Sequence, residues 1–248
     1  MSVTLSSSTD DINLQHPELW TMHLGVGKES ITYVLYSKQQ DNSLISGTVA
    51  LDTAFGNYLK SVENCIYDNP LFLKPYGEVK VLVESNHFMV MPNEIDDYDT
   101  CLDIMETAFP EADGEFALCP MPQCGTLMGF EMPKGLEAFL QRTFYNPPIM
   151  HQLVPLCEYY KLKQEQTSIR RMFVHLHDKK LDLCLYNKGA LAMTNSYVFH
   201  AIEDAAYYAL HAWQDYGFDG LADEVQLSGD KHLRDAITPI MRKYINFV

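Results

Sequence analysis

Basic residues are scarce in this sequence. The chain has 18 Lys and Arg residues against 33 Asp and Glu residues, and its formal net charge is −15 at neutral pH. An acidic surface of this kind repels phosphate backbones and anionic lipid headgroups. The composition therefore argues against nucleic acid and direct membrane insertion, and it favours another protein as the binding partner.

Long apolar runs, a secretion signal and a cysteine framework are also missing. No stretch approaches the length of a membrane span, and residues 1–11 have neither a basic segment nor an apolar one. The six cysteines have no regular spacing, and free thiols in apolar segments behave as small hydrophobic side chains. These absences predict a cytoplasmic protein in a reducing compartment, with a flexible N-terminus over residues 1–19.

Hydrophobic patterning predicts three strands, a helix and two further strands in the first third of the chain, of which the first five elements give the order β-β-β-α-β. In order these are strands at residues 20–27, 31–36 and 44–51, a helix from Asp52 or Thr53 to residues 68–70, and strands at 79–83 and 88–91. The helix is predicted because five apolar residues share one face: Phe55, Tyr58, Leu59, Val62 and Ile66.

The same order of elements recurs near the C-terminus. Strands are predicted at residues 172–176, 181–186 and 190–197, followed by a helix at 200–216 and a strand at 225–227. Asn187 and Gly189 favour a tight hairpin turn, because both residue types tolerate positive φ. Met22 and Met172 hold matching places, an offset of 150 residues (172 minus 22), which indicates a duplicated unit.

The segment between the two repeats is predicted to contain helices and an irregular stretch. Helices are expected at residues 95–108, 136–144 and 148–160, and residues 109–133 are expected to be irregular. The predicted domains are a first lobe at 20–108, an irregular and helical connection at 109–170 and a second lobe at 171–248. The predicted fold is α/β, with two duplicated β-β-β-α-β lobes and an interlobe cleft.

The common catalytic and metal-binding motifs are incomplete or absent in this sequence. A phosphate loop ending at Gly27 would need a glycine five positions earlier, where Met22 stands. His175 and His177 share a strand face and could bind a metal with Asp178, but no third ligand is evident beside them. No Gly-x-Ser-x-Gly motif is present. The sequence therefore predicts no catalytic residue and no metal site.

Three segments carry a resemblance to a known family: MHLGVGKESITYVLY, VHLHDKKLDLCLYNKGALAMTNSY and VQLSGDKHL, which begin at Met22, Val174 and Val225. They resemble an uncharacterised bacterial domain family of unknown function with an actin-like, ribonuclease H-like ATPase fold. The wider resemblance is to the actin, sugar-kinase and heat-shock ATPase superfamily. In architecture the chain is similar to the actin-like assembly proteins of pilus and type II secretion machines.

This resemblance implies a ligand cleft but also a degenerate nucleotide site. Active members carry an aspartate and a glycine in each of two hairpins, where they handle phosphates and Mg²⁺. Here the first hairpin has His23 before the retained Gly25, and the second has His175 and His177 instead. The resemblance implies that nine residues line the cleft: His23, Gly25, Gly27, His175, His177, Asp178, Ser228, Gly229 and Asp230. The last three resemble the strand-turn-helix that contacts adenosine, with Asp230 in place of its second glycine.

Three hypotheses about function follow. The favoured one is a non-catalytic actin-like scaffold or interaction protein that needs no cofactor. The alternative is an ATP-dependent phosphotransferase or ATPase, using ATP and Mg²⁺, in which Asp178, Asp182 or Asp230 has taken over metal binding. The third is a peptide- or partner-binding protein that uses the irregular stretch 109–133 and its adaptable methionines Met121, Met128 and Met132.

Overall fold

The chain divides into two units of mixed helix and strand. A computed structural model describes residues 4–5, 14–41, 43–52, 56–95, 97–164 and 169–248. The first unit comprises residues 1–119 and 128–152, and the second comprises residues 120–127 and 153–248. None of the helices in these described ranges is long and apolar enough to cross a membrane.

The first unit contains a six-stranded sheet and a smaller three-stranded sheet. Its elements are β1 (Thr4–Leu5), a short 3₁₀ helix (Pro17–Leu19), β2 (Thr21–Val26), β3 (Ser30–Tyr36), β4 (Ile45–Ala50), α1 (Tyr58–Tyr67), β5 (Glu78–Val83), β6 (Phe88–Pro92), α2 (Tyr98–Ala108), β7 (Glu115–Met121), β8 (Thr126–Met132), α3 (Leu136–Thr143) and β9 (Ile149–His151). The larger sheet has the order β1-β4-β3-β2-β5-β9, and the smaller one has the order β6-β8-β7. Strand β2 pairs antiparallel with β3 and parallel with β5.

Strand β2 forms where the sequence alternates between buried apolar residues and less buried ones. Met22, Leu24 and Val26 are buried, while His23 and Gly25 lie on the opposite face of the strand. Burying one face of a strand fixes its register, because a slip of one residue would expose the whole apolar set.

The second unit contains a four-stranded sheet with helices on both faces. Its elements are α4 (Val154–Gln164), β10 (Arg171–His177), β11 (Lys180–Asn187), β12 (Ala190–Val198), α5 (Ile202–Asp215), β13 (Glu224–Gly229) and α6 (Lys231–Met241). The strand order is β12-β11-β10-β13, and β10 pairs antiparallel with β11 and parallel with β13.

The core of the second unit lies between this sheet and helices α5 and α6. Met172, Val174 and Leu176 of β10 belong to the same buried cluster as Trp213 of α5 and Ile237 of α6. The opposite face of the sheet meets α4, where the Tyr186 hydroxyl donates to the Cys157 carbonyl at 2.5 Å. Strand β11 is consequently buried over residues 181–186, on both of its faces.

The predicted duplication is confirmed at the level of topology. Each unit has an antiparallel three-strand meander, a helix and a strand that returns parallel to the first strand. Met22 lies opposite Val79, and Met172 lies opposite Val225, so the two methionines occupy equivalent positions.

Three predictions about elements are wrong. Residues 109–133, expected to be irregular, contain the hairpin of β7 and β8, and Met121, Met128 and Met132 are buried, so they form no exposed methionine surface. The helix expected at 148–160 begins only at Val154, because β9 pairs with β5 before it. Asn57, not Asp52, caps α1, since its side chain accepts a hydrogen bond from the Lys60 amide at 3.2 Å. Thr53 and Phe55 lie outside the described residues.

Candidate functional site

Polar residues form one row across all four strands of the second unit. The register places Ser196 opposite Asp182, Asp182 opposite His175, and His175 opposite Ser228. Side chains alternate along a strand, so this row lies on the sheet face opposite to the core of Met172, Val174 and Leu176. The row is close to the carboxyl ends of the parallel strands β10 and β13, where α/β proteins usually bind ligands.

The residues of this row hydrogen-bond to one another and to two neighbours. Asp182 accepts hydrogen bonds from His177 at 2.8 Å and from the Ser196 hydroxyl at 2.6 Å. On the other side, His175 Nδ1 lies 2.9 Å from the Ser228 hydroxyl. The Ser228 hydroxyl is also hydrogen-bonded to the hydroxyl of Tyr160 on α4. We call these six residues, Tyr160, His175, His177, Asp182, Ser196 and Ser228, the polar network.

The polar network separates the two histidines into different ionisation states. The hydrogen bond to Asp182 raises the pKa of His177, against the effect of its burial. Burial lowers the pKa of His175, and neighbouring His177 lowers it further. Burial also opposes ionisation of Asp182, but the hydrogen bonds from His177 and Ser196 outweigh burial and lower its pKa. The network therefore favours a charged pair of His177 and Asp182 beside a neutral His175.

The other predicted residues of the second unit have local structural roles. Asp178 has φ 49° in the turn between β10 and β11, and its side chain is 97% exposed, 3.9 Å from His177 Nδ1. Asp230 caps α6 by accepting hydrogen bonds from the amides of His232 and Leu233 at 2.7 and 3.3 Å. These two carboxylates are thus placed by a turn and by a helix end.

Gly229 is required by the backbone of the second unit. It has φ 88°, and a Cβ atom at this position would lie 2.0 Å from the Leu176 carbonyl oxygen. The Asp230 amide donates to that same carbonyl at 2.7 Å. This glycine therefore has a structural explanation that involves no ligand.

The predicted residues of the first unit lie along β2 and its turn. The His23 Nε2 atom is buried and has no hydrogen-bond partner among the described residues, and burial together with Lys80 lowers the pKa of His23. Gly25 lies opposite Thr32 within the β2–β3 ladder. The Gly27 amide donates to the Ser30 carbonyl at 3.0 Å and closes the turn, and the Gly27 carbonyl accepts from the Tyr58 hydroxyl at 2.9 Å.

A cavity of about 580 Å³ opens beside this turn in the first unit. It has a volume typical of small-molecule sites. Its walls come from the β2–β3 turn, the start of α1, the loop after β5 and the open end of the β7–β8 hairpin. The lining residues are Lys28, Asn57, Tyr58, Leu59, Glu84, Ser85, Asn86, His87, Asp113, Glu131, Pro133 and Lys134.

A hydrogen-bonded pair of His87 and Glu131 forms part of the cavity wall. His87 Nδ1 lies 2.5 Å from Glu131 Oε2, while Glu131 Oε1 accepts from the amides of Asp113 and Gly114 at 3.0 and 2.7 Å. Burial opposes ionisation of Glu131, but these hydrogen bonds outweigh it and lower its pKa. Burial and neighbouring Glu84 raise the pKa of Tyr58 to about 12, so its hydroxyl stays protonated.

The sequence patterns did not predict this cavity. The strand at 79–83 was predicted, and ligands collect at the carboxyl ends of parallel strands, so the position of residues 84–87 just after β5 was a usable indication. No sequence pattern indicated the remaining polar residues of the wall, because they lie in or beside a segment expected to be irregular. These residues are Asp113, Glu131 and Lys134. They reach the cavity only through the pairing of β8 with β6.

The predicted nucleotide residues fit Mg²⁺ and ATP poorly. No cluster of three or more His, Cys, Asp or Glu side chains suited to a metal ion occurs within the described part of the chain. Asp182 already accepts two hydrogen bonds from its neighbours and Asp230 caps a helix, so neither carboxylate is left open for a hard cation. We therefore derive no catalytic step from a nucleotide.

Comparisons with known proteins identify the family. The model of a family of proteins of unknown function, DUF3822, matches residues 9–248. The chain belongs to this family. The comparison with curated proteins found no significant match. The predicted resemblance to an actin-like family of unknown function is thereby confirmed for this DUF3822 member.

Similar solved structures show the fold. A protein with actin-like ATPase fold and unknown function from Bacteroides thetaiotaomicron has a TM-score of 0.80 at 19% identity, covering 94% of this chain and 90% of that one. The ethanolamine utilization protein EutJ from Carboxydothermus hydrogenoformans has a TM-score of 0.45 at 7% identity, covering 91% and 83%. A chain of the PilM–PilN type IV pilus biogenesis complex has a TM-score of 0.41 at 12% identity, covering 92% and 74%. The first of these similarities confirms the predicted α/β actin-like fold for the DUF3822 chain.

Proposed function

We propose that this DUF3822 protein is a non-catalytic actin-like interaction protein, which binds a partner or ligand without hydrolysing ATP. The observation that carries the proposal is the state of Asp182. Its side chain is only 6% exposed and accepts hydrogen bonds from both His177 and Ser196. Recruiting this carboxylate to Mg²⁺ would break hydrogen bonds to a charged group, each of which contributes roughly 1.5–3 kcal/mol before water at the partly exposed His177 reduces it.

The histidines that replace the expected aspartates support the same proposal. His175 is hydrogen-bonded to Ser228, and His177 is paired with Asp182. Mg²⁺ prefers oxygen ligands, which imidazole nitrogens do not supply. The polar side chains of the second repeat are therefore hydrogen-bonded to one another, as expected of residues that stabilise the scaffold and do not hold a metal ion.

An ATPase with relocated carboxylates remains the second candidate because of one residue. Asp178 lies in the turn that corresponds to a phosphate-binding hairpin, and its carboxylate is 97% exposed beside His177. A single exposed carboxylate is a weak Mg²⁺ site by itself, since Mg²⁺ in proteins usually combines one or two carboxylates with phosphate oxygens and water. ATP would have to supply most of the remaining ligands.

Thermal melting with Mg²⁺ and ATP distinguishes these functions. A ligand that binds only the native state stabilises it by roughly 2.7 kcal/mol at a hundred times its Kd. We expect no shift in Tm with millimolar ATP and Mg²⁺, and no phosphate release. Phosphate release together with a Tm shift, both lost on adding EDTA and in the Asp178→Ala variant but kept in the exposed control Asp215→Ala, would establish the ATPase instead.

We further propose that the binding partner is a protein and that binding takes place in the cytoplasm. With a net charge of −15, the protein is suited to a partner that presents basic or neutral surface. We also propose that residues 20–108 and 171–248 form the bodies of its two lobes, and that the connection at 109–170 adds α3 and β9 to the first unit and α4 to the second. Cross-linking followed by mass spectrometry in cells would identify the partner, and enrichment of nucleic acid instead would count against the proposal.

A further inference from the structure

The cavity of the first unit is lined by charged side chains that form no hydrogen bond or ion pair with other described residues. The ammonium groups of Lys28 and Lys134 and the carboxylate of Asp113 line it, and none of them has a side-chain hydrogen bond or ion pair within the described residues. By contrast, His87 and Glu131 in the same wall are paired with each other. These unpaired groups thus include both signs of charge.

These groups come from two separate structural elements. Lys28 lies in the turn between β2 and β3, which closes through the hydrogen bond from the Gly27 amide to the Ser30 carbonyl. Asp113 and Lys134 flank the open end of the β7–β8 hairpin, where Glu131 holds the amides of Asp113 and Gly114. Each side of the cavity is therefore positioned by hydrogen bonds that no ligand has to break.

The charge of the lining disfavours a polyanion. Two lysines face three carboxylates, those of Glu84, Asp113 and Glu131. A site for several phosphates would need a clear excess of positive charge. A molecule that carries one ammonium and one carboxylate group, in contrast, is complementary to a lining of both signs.

We propose that this cavity binds a small zwitterionic ligand of the free amino acid class. The ligand carboxylate contacts Lys28 and Lys134, and its ammonium group contacts Asp113. The volume of about 580 Å³ leaves room for a side chain and for bridging water. The inference rests on the proposed function in one respect, that the protein binds its ligand without turning it over.

Thermal melting against a matched panel tests the proposal with the full chain. The probes are millimolar L-alanine, L-glutamine, L-glutamate and L-lysine, with N-acetyl amino acid amides, glucose and ATP with Mg²⁺ as comparisons. We expect at least one amino acid to raise Tm, while its N-acetyl amide, which lacks the charges of the α-ammonium and α-carboxylate groups, does not. Titration calorimetry with that amino acid then gives its Kd.

Three variants separate the cavity from non-specific effects. Asp113→Asn and Lys134→Met should each weaken binding by roughly tenfold or more, as expected for loss of a hydrogen bond to a charged group. Lys243→Met, which removes an exposed lysine of the second unit, should leave the Kd unchanged. Urea unfolding of the unliganded variants checks that each one folds.

Each outcome has a definite meaning. The proposal is overturned if no amino acid raises Tm, if the neutral amides or glucose act equally, or if Asp113→Asn and Lys134→Met bind as the unmodified protein does. Phosphate release from ATP and Mg²⁺, with a Tm shift for ATP and none for any amino acid, overturns this proposal and the proposed function together. Phosphate release combined with an amino acid shift that is lost in the cavity variants overturns only the non-catalytic function and supports the cavity ligand.

Discussion

Replacing Asp182 by Asn tests the polar network of the second unit most directly. The substitution removes the charge and keeps the shape of a side chain that is 6% exposed. The new amide retains an oxygen that accepts the Ser196 hydrogen bond, which is 2.6 Å long in the protein. Its NH₂ group faces His177, and the ring must become neutral to accept a hydrogen bond from it.

The expected loss follows from the strength of hydrogen bonds to charged groups. Such bonds contribute roughly 1.5–3 kcal/mol, and neutral ones contribute roughly 0.5–1.5 kcal/mol. The His177 side chain is 34% exposed, so water competes for part of the difference. We expect Asp182→Asn to lower the free energy of unfolding by about 1–2 kcal/mol.

The pH dependence of this loss has a definite sign. The pKa of His177 is raised above its ordinary 6.5, so its contribution is complete below 6.5 and is lost as pH rises through the folded value. The pKa of Asp182 is lowered below its ordinary 3.8, so its contribution is present above 3.8 and is lost as pH falls through the folded value. The gap between the unmodified protein and the variant should therefore be widest between these two ordinary values.

Urea unfolding followed by circular dichroism at several pH values measures this gap. The matched control is Asp215→Asn, because Asp215 also pairs with a histidine, His211, at 3.4 Å, but both side chains are more than half exposed. Exposed helix pairs contribute about 0.3–0.5 kcal/mol, so the control should change little. Equal losses in both variants, or a loss at Asp182 that does not vary with pH, would refute the reasoning.

Two further substitutions test the backbone and the cavity wall. Gly229→Ala should destabilise the protein by more than about 2 kcal/mol in urea unfolding, because the new Cβ atom would clash with the Leu176 carbonyl. The control is Gly217→Ala, which also has positive φ but has open space around it. It should destabilise the protein by about 1 kcal/mol in the same experiment. Glu131→Gln should cost about 1–2 kcal/mol above pH 4.5, and the deficit should vanish as pH falls through the lowered pKa of Glu131; a deficit that persists in acid would contradict this assignment.

The repeats could be predicted because their local signals agree with their tertiary environment. In β2 the buried residues alternate along the chain, and in β10 the core residues Met172, Val174 and Leu176 do the same. The turn between β11 and β12 lies where the Asn-Lys-Gly sequence predicted it, with positive φ at Gly189 as expected but at Lys188 rather than at Asn187. Each of these strands can therefore be predicted from the alternation of apolar residues within it, without knowledge of any long-range contact.

The β7–β8 hairpin could not be predicted in the same way. Pro120 and Pro122 interrupt the apolar pattern near its tip, and prolines usually mark loops or edges of sheets. Its pairing also depends on β6, since the Glu131 amide donates to the His87 carbonyl at 2.9 Å across a separation of 44 residues. A contact of that sequence separation leaves no periodic signal, so the cavity that depends on it was missed as well.

Only part of the polar network could be predicted from the sequence. A short turn between β10 and β11 implies that His175 faces Asp182, and the structure has this pairing. The hydrogen bond of Asp182 instead goes to His177, two residues further along β10, and Ser228 joins from a strand that is 53 residues away. Diagonal neighbours and crossover strands depend on twist and packing, which a linear pattern does not encode.

The two repeats treat polar residues at strand ends differently, and this difference decides where a ligand can bind. In the second unit a ligand would have to displace the bonds among His177, Asp182 and Ser196, each leaving a buried group unsatisfied at roughly 1–3 kcal/mol. In the first unit Lys28 and Asp113 have no such bond to lose within the described residues, and the cavity beside them is already open. Equal ligand contacts would therefore give the higher affinity in the first unit.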